Sequence, residues 1–166
     1  TGPHCPRLPA RDATGDRGAM EEYLVQCRAA GVRPNSGLSQ MFIDGRLPMK
    51  LSFQNNYIGD RGLGPFLQTA KENALLEGVL SIDLSGQGLR DEGIGSVVQE
   101  LQGCRSLTAL DLSDNVIGDR GGKELLAWVR RNPQLVSLEL LGTRIGPELK
   151  WKLSQELGAN KNKRGY

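Results

Sequence analysis

Asp83, Asp111 and Glu139 recur at 28-residue intervals (111 − 83, 139 − 111), and Ser52 holds the same place one unit earlier. Carboxylates repeated at a fixed period suit two chemistries. Held as a close pair, they can divide the work of general acid and general base. Held as a row, they can take Lys or Arg groups from a partner. Hydrolysis by paired carboxylates needs further help from a base, an oxyanion-binding group or a metal set, and none accompanies this row in the sequence. Two readings stay open: charges that remain hydrated on ordinary surface, or a binding stripe for a cationic partner. The flanking residues Ser81, Ser85, Ser113, Ser137 and Asp114 belong to the same surface under either reading.

Two other constellations invite chemistry and do not support it. His4, the one histidine, lies beside Cys5, a pairing that can ligate a metal or form a nucleophilic dyad. Both roles need a rigid shell around the side chains. Residues 1–18, with Pro3, Pro6 and Pro9 among scattered Arg and Gly, show no apolar period and are expected to be disordered. Gly118-Asp-Arg-Gly-Gly-Lys123 has the look of a phosphate loop, but that motif needs GxxxxGK followed by Ser or Thr. Ile117 stands where its first glycine should be, and Glu124 follows the lysine. The parallel segments Gly59-Asp-Arg-Gly62 and Arg90-Asp-Glu-Gly93 assign the glycines to a repeat. No cofactor, nucleotide or metal site is expected.

Composition narrows the class further. The 166 residues suit one domain with a continuous core, built from Leu, Ile and Val because aromatics make up only 5%. A net charge of +2 does not argue for a nucleic-acid surface. Cys5, Cys27 and Cys104 are odd in number and lack CxxC spacing, so neither a disulfide framework nor a zinc site is indicated. No apolar stretch is long enough to span a membrane. The expectation is a reduced, cytoplasmic setting without membrane or nucleic-acid partners.

What must position the acid row is a repeat. Leu51-Ser-Phe-Gln-Asn-Asn56-Tyr-Ile58, Ile82-Asp-Leu-Ser-Gly-Gln87-Gly-Leu89, Leu110-Asp-Leu-Ser-Asp-Asn115-Val-Ile117 and Leu138-Glu-Leu-Leu-Gly-Thr143-Arg-Ile145 align without gaps. Their first residues lie 31, 28 and 28 positions apart (82 − 51, 110 − 82, 138 − 110). Self-similarity at such a period marks a solenoid. The pattern LxLxxNxI, followed by Gly and a helical stretch, resembles the leucine-rich repeat. A unit of this length with a full outer helix is similar to the ribonuclease-inhibitor subtype, shared by the Ran GTPase-activating protein and the NOD-like receptors. The resemblance covers residues 47–158. It implies an α/β solenoid of parallel strands inside and helices outside.

Each repeat position has a physical task. Alternation in Leu110-Asp111-Leu112 predicts a short strand with Leu inward and Asp outward. The returning helix carries apolar residues at helical spacing: Phe66, Leu67 and Ala70; Val97, Val98 and Leu101; Leu125, Leu126 and Val129. Asp60 and Asp119 stand where a helix start favours an N-cap or first-turn carboxylate. Gly62, Gly93 and Gly121 mark a close approach or tight turn. Asn56, Gln87, Asn115 and Thr143 hold the place where a side chain satisfies backbone exposed by the turning strand. The fourth unit, with Thr143 and Leu149, has the irregularity of a cap. Three extra residues near Lys71-Glu72-Asn73 are expected in an outer loop. Asn132-Pro133 should end the third helix. Trp128 and Trp151 fall off the recurrent apolar positions, so both are expected partly exposed on the convex side.

The resulting division is a disordered segment at 1–18, a helical N-terminal cap at 19–47, four repeats at 48–158, and a basic tail at 159–166. In the cap, residues 19–30 should form a helix ended by Gly31, with Tyr23, Leu24, Cys27 and Ala30 on one face, and Ser36–Phe42 a second. A degenerate first repeat at 19–47 is the alternative. Covering the first strand edge removes an aggregation liability.

The functional expectation is a non-catalytic protein–protein interaction module. Its concave face would present Ser52, Gln54, Asp83, Ser85, Asp111, Ser113, Asp114, Glu139 and Leu141 to a protein partner, a basic one where the acid row makes the contact. Two alternatives stand beside it: a GTPase regulator of the Ran GTPase-activating-protein kind, which shares the repeat subtype, and a structural subunit of a cytoskeletal or ciliary assembly.

Overall fold

The computed structural model describes residues 15–165. Helices α1 (Gly15–Ala29) and α2 (Ser36–Ile43) come first, followed by four strand–helix units. These are β1 (Lys50–Ser52) with α3 (Gly59–Glu72), β2 (Ser81–Asp83) with α4 (Asp91–Glu100), β3 (Ala109–Asp111) with α5 (Asp119–Arg131), and β4 (Ser137–Glu139) with α6 (Pro147–Arg164). The strands form one parallel sheet in the order β1-β2-β3-β4. Every crossover is a helix, as parallel neighbours require. The fold is the short α/β solenoid that the repeat implies.

Register explains the repeat. Leu51, Ile82, Leu110 and Leu138 are partners across the sheet and all point into the core. Phe53, Leu84 and Leu112, two residues on, are fully buried, as period-two alternation demands. Helix residues Phe66, Leu67, Ala70, Val97, Leu101, Leu125 and Val129 meet them from the other side. Each helix also packs against its neighbours in the solenoid, α4 between α3 and α5, and α5 between α4 and α6.

The side chains at the strand turn do what their groups allow. Buried Asn115 donates through Nδ2 to the carbonyls of Leu84 (2.8 Å), Leu112 (3.0 Å) and Ser113 (3.1 Å), while its Oδ1 accepts the Leu89 N–H at 3.0 Å. Gln87 reaches Ser85 O and the Ile58 N–H. Thr143, with one hydroxyl, reaches only Leu140 O at 2.7 Å.

The recurrence of Asp60, Asp91 and Asp119 near the helix starts serves a bond other than helix self-capping. None of the helices they open has a side-chain cap bond. Each carboxylate instead accepts the N–H that precedes the next unit's helix: Asp60 from Arg90, Asp91 from Gly118 and Asp119 from Gly146, all at 2.7 Å. Adjacent units are thereby clamped. The recurrent glycines make room for the clamp. A Cβ on Gly93 would meet Asp60 Oδ1, and one on Gly121 would lie 2.8 Å from Asp91 Oδ1.

At the N-terminal end, Tyr23, Phe42, Phe53 and Phe66 form an aromatic cluster with centroid spacings of 5.0, 5.1 and 6.3 Å. All three phenylalanines of the chain are used here, joining α1 and α2 to the first unit. Asn35 caps α2 through Leu38 N and donates to Asn56 O at 3.3 Å, tying the two helices to the first strand turn. The buried face of α1 is Ala19, Tyr23 and Cys27; Leu24 is half-buried and Ala30 exposed.

Several boundaries differ from expectation. Helix α1 begins at Gly15, inside the segment 1–18, and residues 1–14 with His4 and Cys5 lie outside the described residues. Segment 19–47 supplies two helices and no strand. Lys71 and Glu72 close α3, which at 14 residues matches the 13 of α5. The connection to the next strand runs over residues 73–80 after α3 against 132–136 after α5, so the extra residues do lie in the outer loop, just beyond Glu72. Helix α6 runs through residues 159–164 up to left-handed Gly165. Asn160 is buried there and donates to Leu135 O at 3.0 Å, so this stretch is not wholly a solvated tail. Trp128 is 2% exposed, against expectation, whereas Trp151 is 61% exposed. The Trp128 position corresponds to buried Thr69 in the first unit, and flanking helices on both sides enclose it.

Candidate protein-binding face

The strand face opposite the helices carries two rows. Ser52, Asp83, Asp111 and Glu139 are register partners on neighbouring strands, which places them about 4.8 Å apart. Two residues on, Gln54, Ser85, Ser113 and Leu141 form the second row on the same face. Ser52, Gln54, Asp114, Glu139 and Leu141 are exposed; Asp83, Ser85, Asp111 and Ser113 are half-buried. The structure therefore brings eight of the nine sequence-derived residues onto one face, with exposed Asp114 at the turn that follows β3.

The acids of the row are not equivalent. Asp83 Oδ1 accepts the Ser85 N–H at 3.0 Å and the Ser85 hydroxyl at 2.7 Å, and Oδ2 accepts Ser52 Oγ at 3.2 Å and Gln54 Nε2 at 3.1 Å. Partial burial pushes the Asp83 pKa up, but these hydrogen bonds to the ionised form outweigh it and leave the pKa below the usual carboxylate value. Asp111 accepts only the Ser113 N–H, at 2.8 Å. Glu139 receives a long 3.4 Å contact from Ser137 Oγ. Asp114 makes no side-chain hydrogen bond among the described residues and holds a left-handed backbone at φ 56°. Its side chain sits over Gly142, where a Cβ would collide with it.

Charge on the face thus falls into two halves. Toward β1 the carboxylate is enclosed by Ser and Gln groups. Toward β4 it is open, beside the 78% exposed Leu141. None of the ion pairs among the described residues, Lys71–Glu100, Arg120–Glu92, Arg130–Glu156 and Lys152–Glu148, touches the row. The row is accordingly acidic without internal neutralisation.

Tyr57 was not among the residues singled out by sequence. It is 82% exposed at the strand turn, with φ 46°. Its counterpart in the second unit is Gly88, also left-handed at φ 70°. The third and fourth units carry Val116 and Arg144 there, neither left-handed, so the repeat offered no consistent signal for Tyr57.

The glycine-rich segment after β3 is engaged in packing and interunit bonding. The Gly118 N–H, which a phosphate loop would offer to an anion, is already taken by the Asp91 carboxylate. Gly121 and Gly122 are packed against Asp91, Ile117, Ile145 and Leu149. Among the described residues, no three His, Cys, Asp or Glu groups converge to hold a metal ion. No helix of the described residues is long and apolar enough to cross a membrane.

A family model agrees with the repeat over part of the chain. Residues 103–126, from the α4–β3 loop through β3 into α5, match the family model described as Leucine Rich repeat. The chain is similar to the photoactivated adenylate cyclase subunit alpha of Euglena gracilis, 28% identical over 154 residues, covering 90% of this chain and 14% of that protein. It is also similar to photoactivated adenylate cyclase subunit alpha-like protein FB of the same organism, 28% identical over 147 residues, covering 86% and 14%. The chain thus spans 14% of the length of these curated relatives. Among solved structures, leiomodin-1 actin-binding site 2 aligns with a TM-score of 0.49 at 15% identity, covering 70% of this chain and 82% of that one.

Proposed function

We propose that this leucine-rich-repeat chain is a non-catalytic protein-binding module whose concave strand face receives a partner bearing Lys or Arg. The observation that carries the reading is the contrast within the acid row. Asp83 is enclosed by four hydrogen bonds, whereas Asp111, Asp114 and Glu139 keep oxygens open beside an exposed leucine. Open carboxylates on a rigid strand lattice are suited to charge-assisted hydrogen bonds with a cation. Leu141 adds an apolar contact at the edge of that site, the combination by which interfaces gain both orientation and buried area. Asp83, Ser85, Ser52 and Gln54 would shape the remainder of the face, and Ser113 would position Asp111.

The test is capture of binding proteins by the wild-type chain and by a variant carrying Asp111→Lys and Glu139→Lys. A partner of this face is retained by the first and lost by the second, with retention falling as salt rises. A partner held equally by both baits, at low and high salt, rejects the assignment.

A further inference from the structure

A second charged surface lies at the opposite end of the strand–helix units from the interunit clamps. Arg105 from the α4–β3 loop, Arg131 from the end of α5 and Lys163 from the last turn of α6 line one cavity of about 830 Å³. Gln102, Asn132 and Gln134 lie between them, and no carboxylate lines it. Three other cavities of the described residues mix signs. Asp60, Arg61 and Glu92 share one, Asp119, Lys123 and Glu148 another, and Lys71, Glu77 and Arg105 a third. Three consecutive units therefore each send a cation to one place and no acid with it.

These cations are available. Arg105 and Lys163 form no side-chain hydrogen bond or ion pair among the described residues. Arg131 uses only its Nε, on Ala127 O within its own helix at 3.2 Å.

The end of a helix ordinarily repels anions through its free carbonyls. Here two of the last α5 carbonyls and that of Asn132 are occupied. Asn132 Nδ2 binds Trp128 O at 2.7 Å and Asn132 N binds Val129 O at 3.1 Å. Asn132 O receives Leu135 N at 3.0 Å and Asn160 Nδ2 at 3.4 Å. The floor is also braced, because Gln134 Nε2 reaches back to Cys104 O at 3.0 Å and joins two loops. A braced frame with three cations, no lining carboxylate and partly engaged carbonyls suits an anionic ligand.

We propose that this cavity docks an acidic segment of a protein partner, through carboxylates that pair with Arg105, Arg131 and Lys163. The surface is separate from the concave face and opposite to it in sign. One chain can then engage a basic and an acidic segment at once.

The experiment is a fluorescence-anisotropy titration of a labelled peptide of alternating Glu and Gly with the full chain at low salt. The variant Arg105→Glu/Lys163→Glu is expected to weaken binding by roughly tenfold or more, because both replaced cations are reversed. The control Lys123→Glu/Lys152→Glu changes net charge equally on another surface and is expected to leave affinity within about twofold. If the first double variant does not fold, Arg105→Gln removes one cation that has no bond to lose and should still weaken binding. Equal weakening by both double variants would show that net charge alone attracts the peptide, and overturn the site. Displacement of the peptide by inorganic phosphate, but not by chloride at matched ionic strength, would assign the cavity to a small anion and overturn it as well.

Discussion

The carboxylate of Asp91, in the first turn of α4, accepts the backbone N–H of Gly118 at 2.7 Å, across the boundary between two repeats. A hydrogen bond to a charged group contributes about 1.5–3 kcal/mol. Asp91→Ala should lower unfolding stability by about that amount, measured as a shift in the urea midpoint. Gly121→Ala should also destabilise, since its Cβ would lie 2.8 Å from Asp91 Oδ1 and 2.9 Å from Ile117 Cγ2. With Asp91 already replaced by Ala, part of that clash is gone and Gly121→Ala should cost less. Strict additivity would show that the glycine is needed for another reason.

Asn115 and Thr143 hold the same repeat position with unequal networks. Asn115→Ala leaves Leu89 N and Leu84 O without their side-chain partner in a buried setting, at about 1–3 kcal/mol for each group orphaned. Thr143→Ala removes a single bond in a half-buried place and should cost about 1 kcal/mol or less. Equal losses in chemical denaturation would contradict the network described.

Asp83 and Asp111 should respond unequally to neutralisation. Asp83 has a folded-state pKa below its unfolded value, caused by hydrogen bonds that outweigh desolvation. Its contribution is therefore complete above the unfolded-state pKa, near 4, and is lost as pH falls through the lower folded value. Asp83→Asn should destabilise at neutral pH, and the difference from wild type should shrink in acid. Asp111→Asn retains an oxygen able to accept the Ser113 N–H, so its fold should be nearly unchanged at neutral pH. Thermal melts of both variants from neutral pH into the acid range decide the matter. A larger loss from Asp111→Asn than from Asp83→Asn would reverse the assignment of the open site.

The two tryptophans should differ sharply in fluorescence. In a Trp151→Phe variant the remaining Trp128 should emit at short wavelength and resist acrylamide, being 2% exposed. In a Trp128→Phe variant, Trp151 should be red-shifted and readily quenched. Trp128 Nε1 is buried without a hydrogen-bond partner among the described residues. Phenylalanine removes that unpaired donor along with some volume, so Trp128→Phe should cost less than the roughly 3–5 kcal/mol typical of complete truncation of a buried aromatic.

The four repeats, their register and the shared face of the acids were legible in the sequence because each depends on local periodicity. Alternation at Leu110-Asp111-Leu112 sets inside against outside, and equal spacing of units carries the same choice onto every strand. Properties that arise between units were not legible. Asp60 and Asp119 are first-turn carboxylates of their own helices, as their positions suggest, but sequence distance gives no sign that the N–H each accepts belongs to the next repeat. Trp128 lies outside the apolar stripe that faces the sheet, yet α5 is enclosed by helices on either side, so its buried arc is wider than one stripe. The differing state of the acids has the same origin. Sequence spacing gives Asp83, Asp111 and Glu139 one role, whereas hydrogen bonding across the sheet encloses Asp83 with Ser52 and Gln54 of the neighbouring strand turn and leaves the other two open. Periodicity along the chain determined which residues share a surface; contacts between adjacent turns of the solenoid decided which of them are free to bind.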